Sequence, residues 1–237
     1  MENWFSRTEL LLGEERIKIF EQSHVFVVGL GGVGAMAAEM LCRAGIGKIS
    51  ILDADIVSLT NLNRQLPALQ STIHKKKTEV VAERLKDINP NLDLKVFNVY
   101  LTEDNVEQFF LENIDFVVDA IDTISPKVAL IKKCIEKNIP FISSMGSGAK
   151  LDPSKVSITD ISKTQYCTLA KVMRQRLKKE GITKGVAVVS SIEEPKKEAV
   201  KLITEEKNKK STTGTISYMP AIFACYLASY VIEKLRK

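Results

Sequence analysis

The stretch His24-Val25-Phe26-Val27-Val28-Gly29-Leu30-Gly31-Gly32-Val33-Gly34 decides the fold. Val25 to Val28 are apolar without a break, the composition of a strand buried on both faces in a parallel sheet. The glycines that follow keep side chains away from the backbone N–H groups, and the helix-forming run Ala35 to Ala44 sets a helix N-terminus behind them. Lys48 to Leu52 predicts a second strand that ends on Asp53. A strand, a glycine turn, a helix and a second strand capped by a carboxylate make a nucleotide-binding unit. Gly29, Gly31, Gly32 and Gly34 lie on its phosphate side, and Asp53 is placed for the ribose hydroxyls. By itself the glycine pattern also suits a nicotinamide or flavin enzyme.

Outward from this unit the alternation continues. Helices are expected over Lys77 to Asp87, Val106 to Leu111 and Pro126 to Lys137, and strands over Asp93 to Val99, Phe116 to Ile121 and Pro140 to Ser144. Such alternation predicts an α/β, Rossmann-like, mostly parallel sheet with helices on both faces. Beyond Met145 the period changes. Strands over Val156 to Ile161 and Gly185 to Ser190, flanking a basic helix from Leu169 to Lys179, predict an antiparallel C-terminal extension. Glu193 to Ser211, with lysine and glutamate nearly balanced, reads as a mobile crossover loop, and Ile216 to Ile232 as a buried helix. One domain over residues 1–237 is expected, with a nucleotide-binding half at 1–145 and the extension at 146–237.

Composition narrows the class. The chain has 237 residues, 45% of them hydrophobic and 27% charged, enough for one full core. Cys42, Cys134, Cys167 and Cys225 are scattered, which argues against disulfides and against a paired-cysteine zinc site. No signal peptide is legible, and the apolar run at Ile216 to Ile232 is short of the roughly 20 residues of a membrane span, so a cytoplasmic protein without membrane contact is expected. The net charge of +5 permits an anionic partner.

The segment Asp53-Ala54-Asp55-Ile56-Val57-Ser58-Leu59-Thr60-Asn61-Leu62-Asn63-Arg64-Gln65 is not needed by an oxidoreductase. With the glycine turn, it resembles the adenylating family that includes the ubiquitin-activating enzymes and their bacterial relatives in molybdopterin and thiamine synthesis. The resemblance runs from Phe5 to the C-terminus and implies an enzyme that uses ATP and magnesium to activate a carboxylate as an acyl-adenylate. It implies nucleotide contacts from Asp53, Asp55, Asn61, Arg64 and Gln65, with Arg64 as a cationic finger. It further implies a catalytic Lys77 near the α-phosphate, with Lys75 and Lys76 as competitors by charge, and Asp122 as both a catalytic and a magnesium residue. Arg7 would reach the nucleotide of a partner subunit, so a homodimer is implied. Fixed cations suit the charge that develops as pyrophosphate departs. The plain alternatives are surface charges at Arg64 and Lys77 and a helix cap at Asp122.

Asp160-Ile161-Ser162-Lys163-Thr164 and the helix after it resemble the branch of that family that closes threonylcarbamoyladenosine in tRNA to its cyclic form. Lys163, Lys171, Arg174, Arg176, Lys178 and Lys179 would then meet the RNA backbone. A solvated helix face is the bland reading. The rival function is adenylation of the C-terminal glycine of a ubiquitin-like sulfur carrier, and a sulfur-transfer protein is a further expected kind of partner. That rival lacks the zinc cysteine pairs of its relatives, because no Cys-x-x-Cys occurs.

Overall fold

Residues 4–202 and 211–235 are described by a computed structural model. At its centre lie β1 (His24–Val28), β2 (Lys48–Leu52), β3 (Asp93–Phe97), β4 (Phe116–Asp119), β5 (Phe141–Ser144), β6 (Val156–Asp160) and β7 (Ala187–Ser191). They form one sheet in the order β3-β2-β1-β4-β5-β7-β6. Every pairing is parallel except that of β6 with β7, so the α/β class expected from the sequence holds. The antiparallel extension is a single edge strand, since β7 itself continues the parallel sheet with Ser143 opposite Val188.

Alternate residues of a strand leave the sheet on opposite faces. Val25 and Val27 enter one core, Phe26 and Val28 the other, which is why β1 tolerates no polar residue between its first residue and the glycines. The first face is covered by α3 (Gly34–Ala44), α4 (Lys77–Ile88) and α7 (Tyr218–Lys234). α5 (Ile124–Glu136), α6 (Thr168–Lys179) and a 3-10 turn at Val106–Phe110 cover the second. α7 buries Met219, Phe223, Leu227 and Val231 against α3, as its apolar sequence demands. Among the described residues no helix is long and apolar enough to cross a membrane.

From β1 the chain winds through α3, β2 and α4 to β3, then returns to lay β4 on the other side of β1. The winding reverses between β1 and β4, and doubly wound sheets bind ligands at the carboxyl ends of strands at such a point.

Several expectations are corrected. Val106 to Leu111 forms the tighter 3-10 turn rather than an α-helix, β3 stops at Phe97, and β4 stops at Asp119. The crossover expected as a loop carries a short hairpin, β8 (Val200–Leu202) with β9 (Ser211–Thr213), in which Val200 pairs with Thr213. Its centre, 203–210, lies outside the described residues. Two helices that sequence reading missed precede β1: α1 (Ser6–Leu12) and α2 (Glu14–Gln22), separated by Gly13 at φ 84°.

Candidate active site at the carboxyl ends of β1, β2 and β4

The four glycines divide by what surrounds them. A Cβ at Gly34 would stand 1.7 Å from the Gly29 carbonyl oxygen, and one at Gly29, whose φ is 90°, would stand 2.8 Å from the Ala120 carbonyl oxygen. These two let the turn lie flat on β4. Gly32 is hemmed by Pro220 of α7 at 3.0 Å and by the Arg64 carbonyl oxygen at 3.2 Å. Gly31 alone of the four faces open space, with only Gln65 Nε2 at 4.0 Å. The opening suits an anion resting on the backbone N–H groups of the turn.

Asp53, just past β2, accepts the Leu30 N–H on Oδ2 at 2.5 Å and the Asp55 N–H on Oδ1 at 2.7 Å. Its carboxylate thereby ties β2 to the glycine turn. Burial pushes this carboxyl above its usual range, while Lys77 and the two N–H donors pull the other way. A carboxylate accepts about four hydrogen bonds, so ribose hydroxyls find sites left on it.

Arg64 is held by local geometry. The 3-10 turn Leu59–Asn61 is closed by Asn61 Oδ1, which accepts the Ser58 N–H at 3.1 Å, and the Asn61 carbonyl then accepts the N–H groups of Arg64 and Gln65. Arg64 Nη1 donates to the Thr60 carbonyl at 3.0 Å and to Asn63 Oδ1 at 2.8 Å. Both acceptors are neutral, and no ion pair with a carboxylate engages Arg64 among the described residues. Gln65 Oε1 is buried without a hydrogen-bond partner. An oriented, charge-uncompensated guanidinium beside an open glycine fits a triphosphate, and the orphaned Gln65 oxygen, an acceptor, suits a hydroxyl or amine donor.

Lys77 opens α4, is 4% exposed, and sends Nζ to Asp55 Oδ2 at 2.8 Å. Lys75 and Lys76 are exposed, and Lys76 pairs with Glu79. Of the three lysines, the geometry therefore singles out Lys77. Asp122 is exposed in the turn after β4, and Thr123, not Asp122, takes the N-cap position of α5. Among the described residues no group of three His, Cys, Asp or Glu could hold a metal. A single carboxylate suits magnesium, which usually arrives on phosphates and keeps several waters.

Beneath this surface lies a pair that sequence reading missed. Lys127 Nζ meets Asp119 Oδ2 at 2.9 Å with neither side chain exposed by more than 1%. Ser143 Oγ donates to Asp119 Oδ2 at 2.7 Å, the Ile121 N–H donates to Asp119 Oδ1, and Lys127 Nζ also donates to the Ile121 carbonyl. These bonds fix the Ala120–Ile121 backbone, against which Gly29 packs and from which Asp122 projects. The available signal was a lysine directly before the apolar helix run Val128-Ala129-Leu130-Ile131.

Arg7 does not join the cluster. Phe5 packs at Gly45, just past the far end of α3 from the glycine turn, and α3's 11 residues put about 16 Å between those ends. α1 buries none of its residues and exposes Leu10 and Leu11. The basic residues in and before α6 form a separate surface, on which Lys163, Lys171, Arg176, Lys178 and Lys179 are exposed. Arg174 differs, because its Nη1 donates to the Thr164 carbonyl at 3.1 Å and pins the turn before α6.

The return of the crossover packs beside the site. Asn63 Nδ2 donates to the Thr215 carbonyl at 2.9 Å, the Ala149 N–H donates to the Gly214 carbonyl at 2.8 Å, and a Cβ on Gly148 would meet Thr213 at 2.7 Å. Thr213 to Thr215 thus bridge the Arg64 turn and the Gly146–Gly148 turn after β5.

The family model described as ThiF family matches residues 5–237. The chain is 41% identical over 240 residues to the tRNA threonylcarbamoyladenosine dehydratase of Bacillus subtilis, covering 98% of this chain and 94% of that one. It is 42% identical over 182 residues to the Escherichia coli protein of the same name, covering 76% of this chain and 68% of that one. The E. coli tRNA N6-threonylcarbamoyladenosine dehydratase, TcdA, solved in complex with ATP, superposes with a TM-score of 0.88 at 36% identity, over 98% of this chain and 93% of that one.

Proposed function

Because the chain belongs to the ThiF family, we propose that it is an ATP-dependent dehydratase that cyclises N6-threonylcarbamoyladenosine in tRNA. The observation that carries this reading is the meeting of an open Gly31, an Asp53 fixed by two backbone N–H groups, an Arg64 without a carboxylate partner among the described residues and a buried Lys77 at the β1–β4 crevice. In this reading the N–H groups of the glycine turn cradle phosphates and Asp53 holds the ribose. Asp55, Asn61 and Gln65 frame the nucleotide. The threonyl carboxylate attacks the α-phosphorus, the bond to pyrophosphate breaks, and Arg64 and Lys77 stabilise the departing charge without reorganising solvent. Asp122 would hold magnesium, which would neutralise phosphate charge. The activated acyl carbon is then attacked from within the same nucleoside and AMP leaves; effective molarity makes that step easy, so no covalent cysteine is needed. The net change is loss of one water at the expense of ATP.

The amino-edge position of Arg7 supports a homodimer in which Arg7 serves the partner's nucleotide. The exposed Leu10 and Leu11 beside it supply apolar surface for such a contact. The basic residues around α6 face the tRNA. One domain over 1–237, with its nucleotide half at 1–145, fits the continuous seven-stranded sheet, and a cytoplasmic setting fits a tRNA substrate.

Exchange of labelled pyrophosphate into ATP tests the reading. Exchange stimulated by tRNA carrying the linear modification, and by no ubiquitin-like protein, is the expected result. Exchange that responds only to a ubiquitin-like sulfur carrier would replace this reading with the rival one.

A further inference from the structure

The turn before α6 displays a tyrosine that the fold has no evident need to display. Tyr166 is 52% exposed, and its φ of 49° lies where L side chains are strained. Other residues hold it there. Buried Lys150 donates to the Tyr166 carbonyl at 3.4 Å and to the Glu193 carbonyl, Arg174 fastens Thr164, and the Ala170 N–H donates to Cys167 Sγ at 3.4 Å. Ala149, next to Lys150, is itself at φ 57°. The opposite wall is anchored as well, with the Lys196 N–H on the Ala149 carbonyl and the Glu193 carboxylate on the N–H groups of Leu151 and Asp152.

Between these walls is a cleft of about 280 Å³ lined by Tyr166, Cys167, Thr168, Lys171, Arg174, Glu194 and Pro195. It lies on the sheet edge that carries the nucleotide residues: a Cβ on Gly146, just past β5, would be 3.5 Å from Cys167 Sγ. At about 4.8 Å per strand, this places the cleft roughly 5–10 Å along the edge from the β1–β4 crevice.

We propose that this cleft receives an unpaired nucleotide of the tRNA substrate, with Tyr166 as the platform on which its base stacks. Single-stranded RNA is read by stacking on aromatic faces, with cations at the backbone. Lys171 and Arg174 supply the cations, and Glu194 offers an acceptor to an exocyclic amine. The rigid turn lowers the ordering entropy that binding must otherwise meet. The inference rests on the tRNA reading above and deepens it from backbone attraction to recognition of one nucleotide.

The test uses the full-length protein and tRNA carrying linear threonylcarbamoyladenosine, with wild type, Tyr166→Ala, Tyr166→Phe and Tyr166→Gly. Loss of the platform should raise the Kd and KM for tRNA about ten- to one-hundred-fold in the Ala and Gly variants. Tyr166→Phe should stay within about twofold, and the KM for ATP should not move in any of them. Glycine accepts the φ of 49° without strain, so Tyr166→Gly should keep or raise the melting temperature while losing tRNA. A merely structural tyrosine would do the reverse. If wild type is active and Tyr166→Gly binds tRNA as well as wild type does, the stacking site is wrong and the dehydratase reading survives. If wild type neither binds nor changes this tRNA, the reading beneath it falls as well.

Discussion

Lys127 and Asp119 are both withdrawn from water, at 0% and 1% side-chain exposure, whereas Lys77 is buried and its partner Asp55 stands 66% exposed. The two pairs have nearly the same N–O separation, 2.9 and 2.8 Å, and lie on opposite flanks of the β1–β4 crevice. What separates them is desolvation. A charge left alone inside the sheet has no water to fall back on, so Lys127–Asp119 must stay closed and serves as a fixed floor. Asp55 keeps its hydration, so Lys77 can exchange it for a phosphate at small loss. In the proposed reading, exposure of the partner carboxylate, and not pairing as such, marks the lysine that can work.

The largest effect that would break this contrast is on stability. Lys127→Met should destabilise the fold by about 3–5 kcal/mol, and Asp119→Asn combined with it should recover much of that, both read by denaturant titration. An unchanged midpoint for the single variant would show that the floor is not a closed charge pair. Next in size is catalysis. Lys77→Met or Arg64→Ala should lower pyrophosphate exchange by about 10²–10³ while denaturation midpoints stay near wild type. A collapse of stability in Lys77→Met would make the two pairs alike.

A smaller effect concerns the basic surface. Lys171→Gln should reduce the slope of log Kd for tRNA against log salt by about one, without altering stability. Arg174→Gln should also lower the melting temperature, because Arg174 secures Thr164. The smallest prediction lies at the sheet's opposite edge. Burial lowers the pKa of His24, whose ring meets the Asn113 carbonyl at 2.6 Å and Ser50 Oγ at 2.8 Å. A depressed histidine pKa means that the unfolded chain binds the proton more readily. Stability from this group is then whole above the ordinary value of 6.5 and declines as pH falls below it. His24→Gln should flatten the melting temperature between pH 7.5 and pH 5.5; an unchanged slope would remove His24 as the cause.

The nucleotide side was legible because its physics is local in the chain. Glycines must stand where a backbone crosses another at contact distance, and a strand buried on both faces must be apolar, so residues 24–34 announce their fold. Arg64 and Lys77 were singled out only through a long spaced pattern. Lys127, Lys150 and Tyr166 were not. Lys127 finds Asp119 across a helix and a strand, Lys150 reaches carbonyls 16 and 43 residues away, and no spacing foretells a tyrosine forced to positive φ. The hairpin of β8 and β9 was hidden for a related reason. A lysine- and glutamate-rich segment resembles a solvated loop until its ends are pinned at Ala149 and Asn63.

Mass analysis of the nucleosides tests the central claim most directly, after incubation of the protein with ATP, magnesium and tRNA bearing linear threonylcarbamoyladenosine. The account predicts a nucleoside lighter by one water, formed only with ATP and lost in Arg64→Ala. Unchanged nucleoside with an active pyrophosphate exchange would contradict it.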